Sequence, residues 1–253
     1  MRYVSSLTLL ALWTVTGAQT ACSTPAHAQA EPVGESGMTA AASGTGYYAV
    51  ISDLRRCAYP MCGGWFLKQL NQSTTTCHDG STADRCYTPE LDWSNANVPE
   101  PQQSKLLDAA STSATSGDVY AIVRGTFART NHTTHQPRLG RFVIAEAWVA
   151  EGDGAAQGTF VHVRDNGKRC FVAPCTNLTE TTLNTSQVTD IAEVDFVPSG
   201  MTDAEVAQCT QSMYGPLGIL VAGDRYTVNV DGRTAPGRTA TQAYLRLTAD
   251  TQP

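Results

Sequence analysis

The sequence predicts a β-rich α+β protein made of two tandem β-β-β-α-β-β repeats, arranged either as two similar domains or as one pseudo-symmetric domain. Three observations carry this expectation. The stretch "RRCAYPMCGGWFLKQLN", ending at Asn71, has a second copy, "KRCFVAPCTNLTETTLN", ending at Asn184, so that Cys57, Cys62, Leu70 and Asn71 map onto Cys170, Cys175, Leu183 and Asn184 at a constant offset of 113. Short alternating apolar runs bounded by turn residues recur in both halves. Each half also carries one helix signal between its third and fourth run.

In the first repeat the runs predict strands at Tyr47–Ser52, Gly64–Leu70, Glu90–Trp93, Val119–Phe127 and Arg141–Val149. Their counterparts are Thr159–Arg164, Asn177–Leu183, Ile191–Val197, Ile219–Val230 and Thr239–Thr248. "ELDW" at Glu90 parallels "EVDF" at Glu193, "YAIVRG" at Tyr120 parallels "GILVAG" at Gly218, and "AEAWVA" at Ala145 parallels "TQAYLR" at Thr241. Pro101 near a first turn opens the first helix. Thr202 and Glu205, spaced as a capping box, open the second. The repeats therefore occupy 47–150 and 158–249, the first carrying an inserted loop at 72–87 with Cys77 and Cys86.

The amino terminus reads as a processing segment. One Arg precedes a mostly apolar run, Tyr3 to about Ala18, too short to span a bilayer, which is the layout of a secretory signal. Two cleavage readings stay open. "TAC" makes Cys22 a lipid-attachment residue after a signal at 1–21, and "AQA" at Ala28–Ala30 ends a signal at 1–30. From 22 to 46 the chain is small, polar and aperiodic, a flexible tether.

Export bears on the cysteines, because thiols outside the cytoplasm tend to pair. Seven of the eight cysteines follow Cys22. Four in the first repeat allow three pairings. The second repeat keeps Cys170 and Cys175 with no partners but each other, so by analogy Cys57 pairs with Cys62 and Cys77 with Cys86. A zinc site from the four first-repeat cysteines competes poorly, since C-x4-C is looser than a C-x2-C knuckle and the second repeat lacks half the ligands. Cys209 is left over, at helical spacing with Val206 and Met213, and reads as a buried free thiol.

Other candidate chemistry is sparse. His132 and His135 form a metal-like pair, but the matching loop "DGRTAPG" has no ligand. Glu90 with Asp92, and Glu193 with Asp195, share a strand face, as a polar outer surface or as paired acid and base. "HDGSTAD" from His78 lacks the register of a calcium loop. No nucleophile elbow, phosphate-binding glycine loop or HExxH motif occurs. No cofactor is expected. A net charge of −6 argues against nucleic acid as a partner.

The segments "RRCAYPMCGGWFLKQLN", "CYTPELDWS" and "VRDNGKRCFVAPC" resemble an uncharacterised family of bacterial exported domains, often with lipoprotein signals, classed as a domain of unknown function. The resemblance implies export and disulfides and brings no activity. The function expected is that of an exported, envelope-anchored, non-enzymatic binding or structural protein. It would be a periplasm-facing or outer-membrane lipoprotein, or secreted, with a protein or envelope ligand as partner and membrane contact through Cys22 alone. The alternatives are an exported metal-dependent hydrolase using His132 and His135, and a protease inhibitor presenting the Cys77 to Cys86 loop.

Overall fold

β-Branched and aromatic residues dominate the "GYYAVIS" run, and its two faces are both apolar, which suits a strand covered on either side. In the computed structural model, which describes residues 44–128 and 139–249, this run is strand β1, Gly46–Ser52. It is followed by β2 (Trp65–Gln69), β3 (Thr75–Thr76), β4 (Thr82–Ala83), β5 (Cys86–Thr88), β6 (Glu90–Asp92), helix α1 (Glu100–Ser116), β7 (Ala121–Ala128) and β8 (Arg141–Glu151). The rest of the chain gives β9 (Thr159–Asp165), β10 (Leu178–Thr182), β11 (Val188–Ile191), β12 (Val194–Asp195), a 3-10 turn (Val197–Ser199), α2 (Asp203–Met213), β13 (Ile219–Gly223), β14 (Arg225–Val230), β15 (Arg233–Thr239) and β16 (Gln242–Arg246). The class is α+β.

Most strands form one sheet in the order β11-β10-β9-β13-β16-β8-β7-β1-β2-β5, with β6 added parallel to β8. The halves meet where β8 and β16 pair antiparallel, Val149 opposite Leu245 and Tyr244 opposite Ala150. Outward from that seam one side runs β8-β7-β1-β2-β5 and the other β16-β13-β9-β10-β11. α1 packs on β1, β7 and β8, and α2 on β16, β13 and β9. Leu106 and Ala110 of α1 close a core with Tyr48, Val50, Leu67 and Phe142. Cys209 and Met213 of α2 close another with Val161, Val163, Ile219 and Val221.

Alternation sends the intervening residues to the opposite face. There Ala49, Ile122, Trp148, Leu220 and Tyr244 form a third buried cluster with Leu70 and Leu183. The sheet itself covers this cluster by rolling up. β1 and β9 are five strand spacings apart in the order, about 24 Å if the sheet were flat. Yet the Asn71 side chain donates to the Phe160 and Leu183 carbonyls at 2.7 and 3.0 Å and accepts from the Phe160 N–H at 2.9 Å. Asn184 reciprocates, donating to the Tyr47 and Leu70 carbonyls and accepting from the Tyr47 N–H, each at 2.8 Å. Both asparagines sit at positive φ, 56° and 59°, where Asn is among the better tolerated residues.

Five antiparallel steps make β1 and β9 run in opposite senses, and the asparagine contacts bring their first residues together. The loops that leave their far ends, 53–64 and 166–177, therefore lie at opposite ends of the rolled sheet.

Several elements depart from expectation. The long strand expected at Ile219–Val230 divides after Gly223, where the chain passes so close to the main-chain carbonyl of Thr239 that a Cβ would collide with it. The Asp224 carbonyl then accepts from the Thr239 N–H and hydroxyl, the Asp224 N–H donates to that hydroxyl, and β14 and β15 swing away to join β12 in a separate three-stranded sheet. Gly125 at the bulge in β7 makes the same close approach, to the carbonyl of Val143, without ending its strand. The segment read as an inserted loop contains the β3–β4 hairpin, and β5 at its end is an edge strand of the main sheet. β11, four residues between the second and third predicted strands of the second half, was not expected.

The helix signals match the observed ends. Pro101 lies in the first turn of α1, which closes at Gly117 with φ 86°. Thr202 and Glu205 form the reciprocal capping box of α2.

Candidate functional site

Each Cys-bounded loop is built on an aspartate at or next to a strand end. After β1, the buried Asp53 carboxylate accepts from Arg55 Nε at 2.9 Å and from its Nη2 at 2.9 Å, and the same Nη2 donates to the Met61 carbonyl at 3.2 Å. Arg55 thereby holds the Asp53 carboxyl below the usual range. Its guanidinium also lies over the rings of Phe66 and Tyr87, and the Tyr87 hydroxyl donates to the Pro60 carbonyl at 2.7 Å. Cys57 and Cys62 are joined with a Cα–Cα distance of 5.5 Å. Gly63 follows at φ 79°, and a Cβ on Gly64 would collide with the Thr88 carbonyl, which explains the Gly-Gly pair. The tip exposes Leu54, Tyr59 and Met61.

The second loop repeats the plan with different side chains. At the end of β9, Asp165 binds Arg169 at 2.9 and 2.8 Å, and that pairing takes its pKa down to about 2. Asp190 binds Lys168 and Thr179, again with a pKa of about 2. Asn166 donates to the Thr176 carbonyl at 3.0 Å. Cys170 and Cys175 are joined at 5.6 Å between Cα atoms. Phe171 is fully exposed, at 107% of its reference area, beside exposed Val172. A third disulfide, Cys77–Cys86, ties the β3–β4 hairpin to β5, with Asp79 capping its turn through the Ser81 N–H and hydroxyl.

His132, His135 and Cys22 lie outside the described residues. Asp92 accepts from the Ser94 N–H and lies 3.4 Å from Arg141, Glu193 accepts from the Tyr226 hydroxyl at 2.6 Å, and Asp195 accepts from the Val197 N–H. The two Glu-x-Asp pairs are thus engaged differently and share no acid/base geometry. Among the described residues no group of three or more His, Cys, Asp or Glu is placed to hold a metal. No described helix is long and apolar enough to cross a membrane.

Cys209 is buried on α2, and burial pushes its thiol up to about 12, with Glu151 and Glu205 adding to the shift. A thiolate is the reactive form. Cys209 is therefore expected to stay unmodified by a disulfide reagent such as DTNB at pH 8 in the folded protein and to react stoichiometrically in guanidinium. Fast labelling of the native protein would contradict this placement.

Two features were not anticipated from sequence. An open groove of about 770 Å³ on the rolled face is lined by Tyr47, Gln69, Arg124, His162, Arg164 and Asn184 among others. His162 meets the Leu217 carbonyl at 2.8 Å, and burial lowers its pKa, favouring the neutral ring. The second feature is a buried ion pair, Glu180 with Arg238, joined by the exposed Arg225 at its rim. Glu180 is fully buried and binds Arg238 through both carboxylate oxygens at 2.8 Å, with Arg225 as a further partner. In the register of the first half, Leu67 opposes Val50, Phe127 opposes Phe142, and Phe142 opposes Leu91. In the second, Glu180 opposes Val163, Arg225 opposes Arg238, and Arg238 opposes Val194. Three charges thus stand where the first half has leucine and two edge-on phenylalanines.

Residues 46–250 match a domain of unknown function, DUF6748. The chain belongs to the DUF6748 family. No curated protein and no solved structure matches it. All three disulfides, both helices and both bridging asparagines of this DUF6748 domain fall inside the matched range. Three disulfides fit an oxidising, extracellular setting.

Proposed function

We propose that this DUF6748 protein is an exported, non-enzymatic binding protein, anchored to the envelope through lipid on Cys22, that engages partners through its two disulfide-clipped tips. The reading that it arose by duplication belongs with this proposal. It is supported by the 113-residue offset of the two motifs, the like strand orders on either side of the β8–β16 seam and the reciprocal asparagines.

One observation carries the proposal. Among the described residues, five of the nine exposed large apolar side chains (Leu54, Tyr59, Met61, Phe171 and Val172) fall in the two clipped loops. Scattered exposed apolar residues mean little, but here three gather on one short loop and two on the other, each a small apolar patch of the kind that marks interaction sites. Each tip is held by a disulfide and an aspartate–arginine pair, so little conformational entropy remains to be lost on docking. A rigid aromatic anchor is the kind of residue that dominates protein interfaces.

The test is site-specific photo-crosslinking in cells that export the protein. A photoreactive residue at position 171 or 59 is expected to give discrete adducts, and one at the exposed Asn229 none. Phe171→Ser is expected to weaken the captured partner's affinity at least about tenfold, or 1.4 kcal/mol. Equal adduct yields at 171 and 229 would remove the basis for the tips.

A further inference from the structure

The two helices cover their halves unequally. Leu106 and Ala110 of α1, and Cys209 and Met213 of α2, are the buried pairs four residues apart that face the sheet. The residue after the first of each pair is Leu107 in α1, which packs on the first core, and Thr210 in α2. α2 is also shorter, 11 residues against 17. Beside Thr210 an open groove of about 470 Å³ runs between α2 and the 193–197 segment. Its apolar surface comes from Val194, Phe196, Met201, Val206 and Met213. At its mouth Val197 is 84% exposed and Tyr214 is also exposed.

The charge around this groove has one sign. Glu193, Asp195 and Asp203 line it, and no Lys, Arg or His does. Among the described residues none of the three forms an ion pair. Glu193 receives the Tyr226 hydroxyl, and Asp195 receives the Val197 N–H. Both remain acceptors with no cation in contact. The nearby cations are already committed, Arg225 and Arg238 to Glu180, and Arg169, which acts on Tyr214 at the mouth, to Asp165.

An apolar floor rewards burial of an aliphatic or aromatic side chain, and unpaired carboxylates at its edge favour a cation beside it while repelling an acidic ligand. The volume suits two or three side chains. We infer that the α2 groove binds a cationic amphipathic peptide segment, one that alternates apolar residues with lysine or arginine, in extended form. This site adjoins the second clipped loop, whose Asn177 side chain meets the Tyr214 hydroxyl at 3.3 Å, but none of the exposed tip residues lines it.

Fluorescence anisotropy tests this with three labelled, end-capped hexapeptides, alternating Leu-Lys, Leu-Glu and Ser-Lys, added to the intact protein. The Leu-Lys peptide is expected to bind saturably at one site, the Ser-Lys peptide at least tenfold more weakly, and the Leu-Glu peptide not at all. Thr210→Leu, which installs the residue α1 already carries, is expected to fill the groove and weaken Leu-Lys binding at least tenfold while thermal stability holds. Should that variant fold poorly, Asp203→Asn with Glu193→Gln gives the second reading, an expected fall of fivefold or more. Phe171→Ser is expected to leave this binding unchanged. No binding of the Leu-Lys peptide, or binding that survives the groove variants or matches Ser-Lys, would overturn the inference. Loss on Phe171→Ser would move the peptide to the tip and overturn it as well.

Discussion

Glu180→Leu is expected to destabilise the protein by about 3–5 kcal/mol, because it leaves Arg238 buried without its counter-charge. Arg238 has 3% side-chain exposure, and its remaining bond to protein oxygen among those seen is to the Gly223 carbonyl at 2.7 Å. In a domain of this size the loss corresponds to a fall in Tm of roughly 10 °C. The informative companion is the triple variant Glu180→Leu, Arg225→Phe, Arg238→Phe, which copies Leu67, Phe127 and Phe142 from the same register in the other half. Glu180 and Arg238 are buried and Arg225 lies exposed at their rim, and replacing a buried ion pair by well-packed apolar residues is often neutral or stabilising. The triple variant is therefore expected to recover most of the loss. Guanidinium melts of the four proteins (wild type, Glu180→Leu, Arg238→Phe and the triple) decide the matter. A triple variant no more stable than Glu180→Leu would show that the like register of the two halves does not extend to their packing.

Asn71→Ala and Asn184→Ala are each expected to cost about 4 kcal/mol. Each side chain makes three hydrogen bonds to main-chain groups of the other half. At about 1 kcal/mol apiece, those bonds account for most of the loss. Alanine at φ 56° or 59° adds strain of about 1 kcal/mol. Asn→Gly at the same positions separates the two contributions, since glycine relieves the strain and still lacks the amide. Asn→Asp should be worse than Asn→Gly, because a carboxylate would face two carbonyl oxygens. These bonds pin the roll of the sheet, so the variants should also expose the Trp148 cluster, read as faster amide exchange in β7, β8 and β16. Stability changes below 1 kcal/mol would mean the roll is held by the apolar cluster alone.

Local chemistry made much of the fold legible. The Thr202–Glu205 box, the proline of α1 and the alternating runs of β1, β2, β7, β8 and β9 depend on near neighbours in sequence, and they lie where the pattern puts them. β5 and β11 were missed because "CYT" and "VTDI" are too short and polar to show periodicity. Their strand character comes from pairing with β2 and β10. At the end of β13, Gly223 passes close to Thr239, sixteen residues later, a contact that no local pattern announces. "LTETT" reads as an ordinary half-exposed strand, yet Glu180 is buried because Arg238 reaches it across 58 residues. Asn71 and Asn184 were visible as matching letters at the ends of two motifs, but nothing local says that each one bonds to the other's neighbours.

The main sheet is open, and an open sheet has two raw edges that invite pairing with other chains. At one edge β5 is three residues long, and Cys86 fastens it to the hairpin at Cys77. At the other, β11 carries Asp190 and Thr189, which hold Lys168 and Arg225 along that border. One border is thus blunted by brevity and a covalent tie, the other by charge. Loss of the Cys77–Cys86 bond is therefore expected to show first as lower solubility at high concentration and only second as a loss of fold.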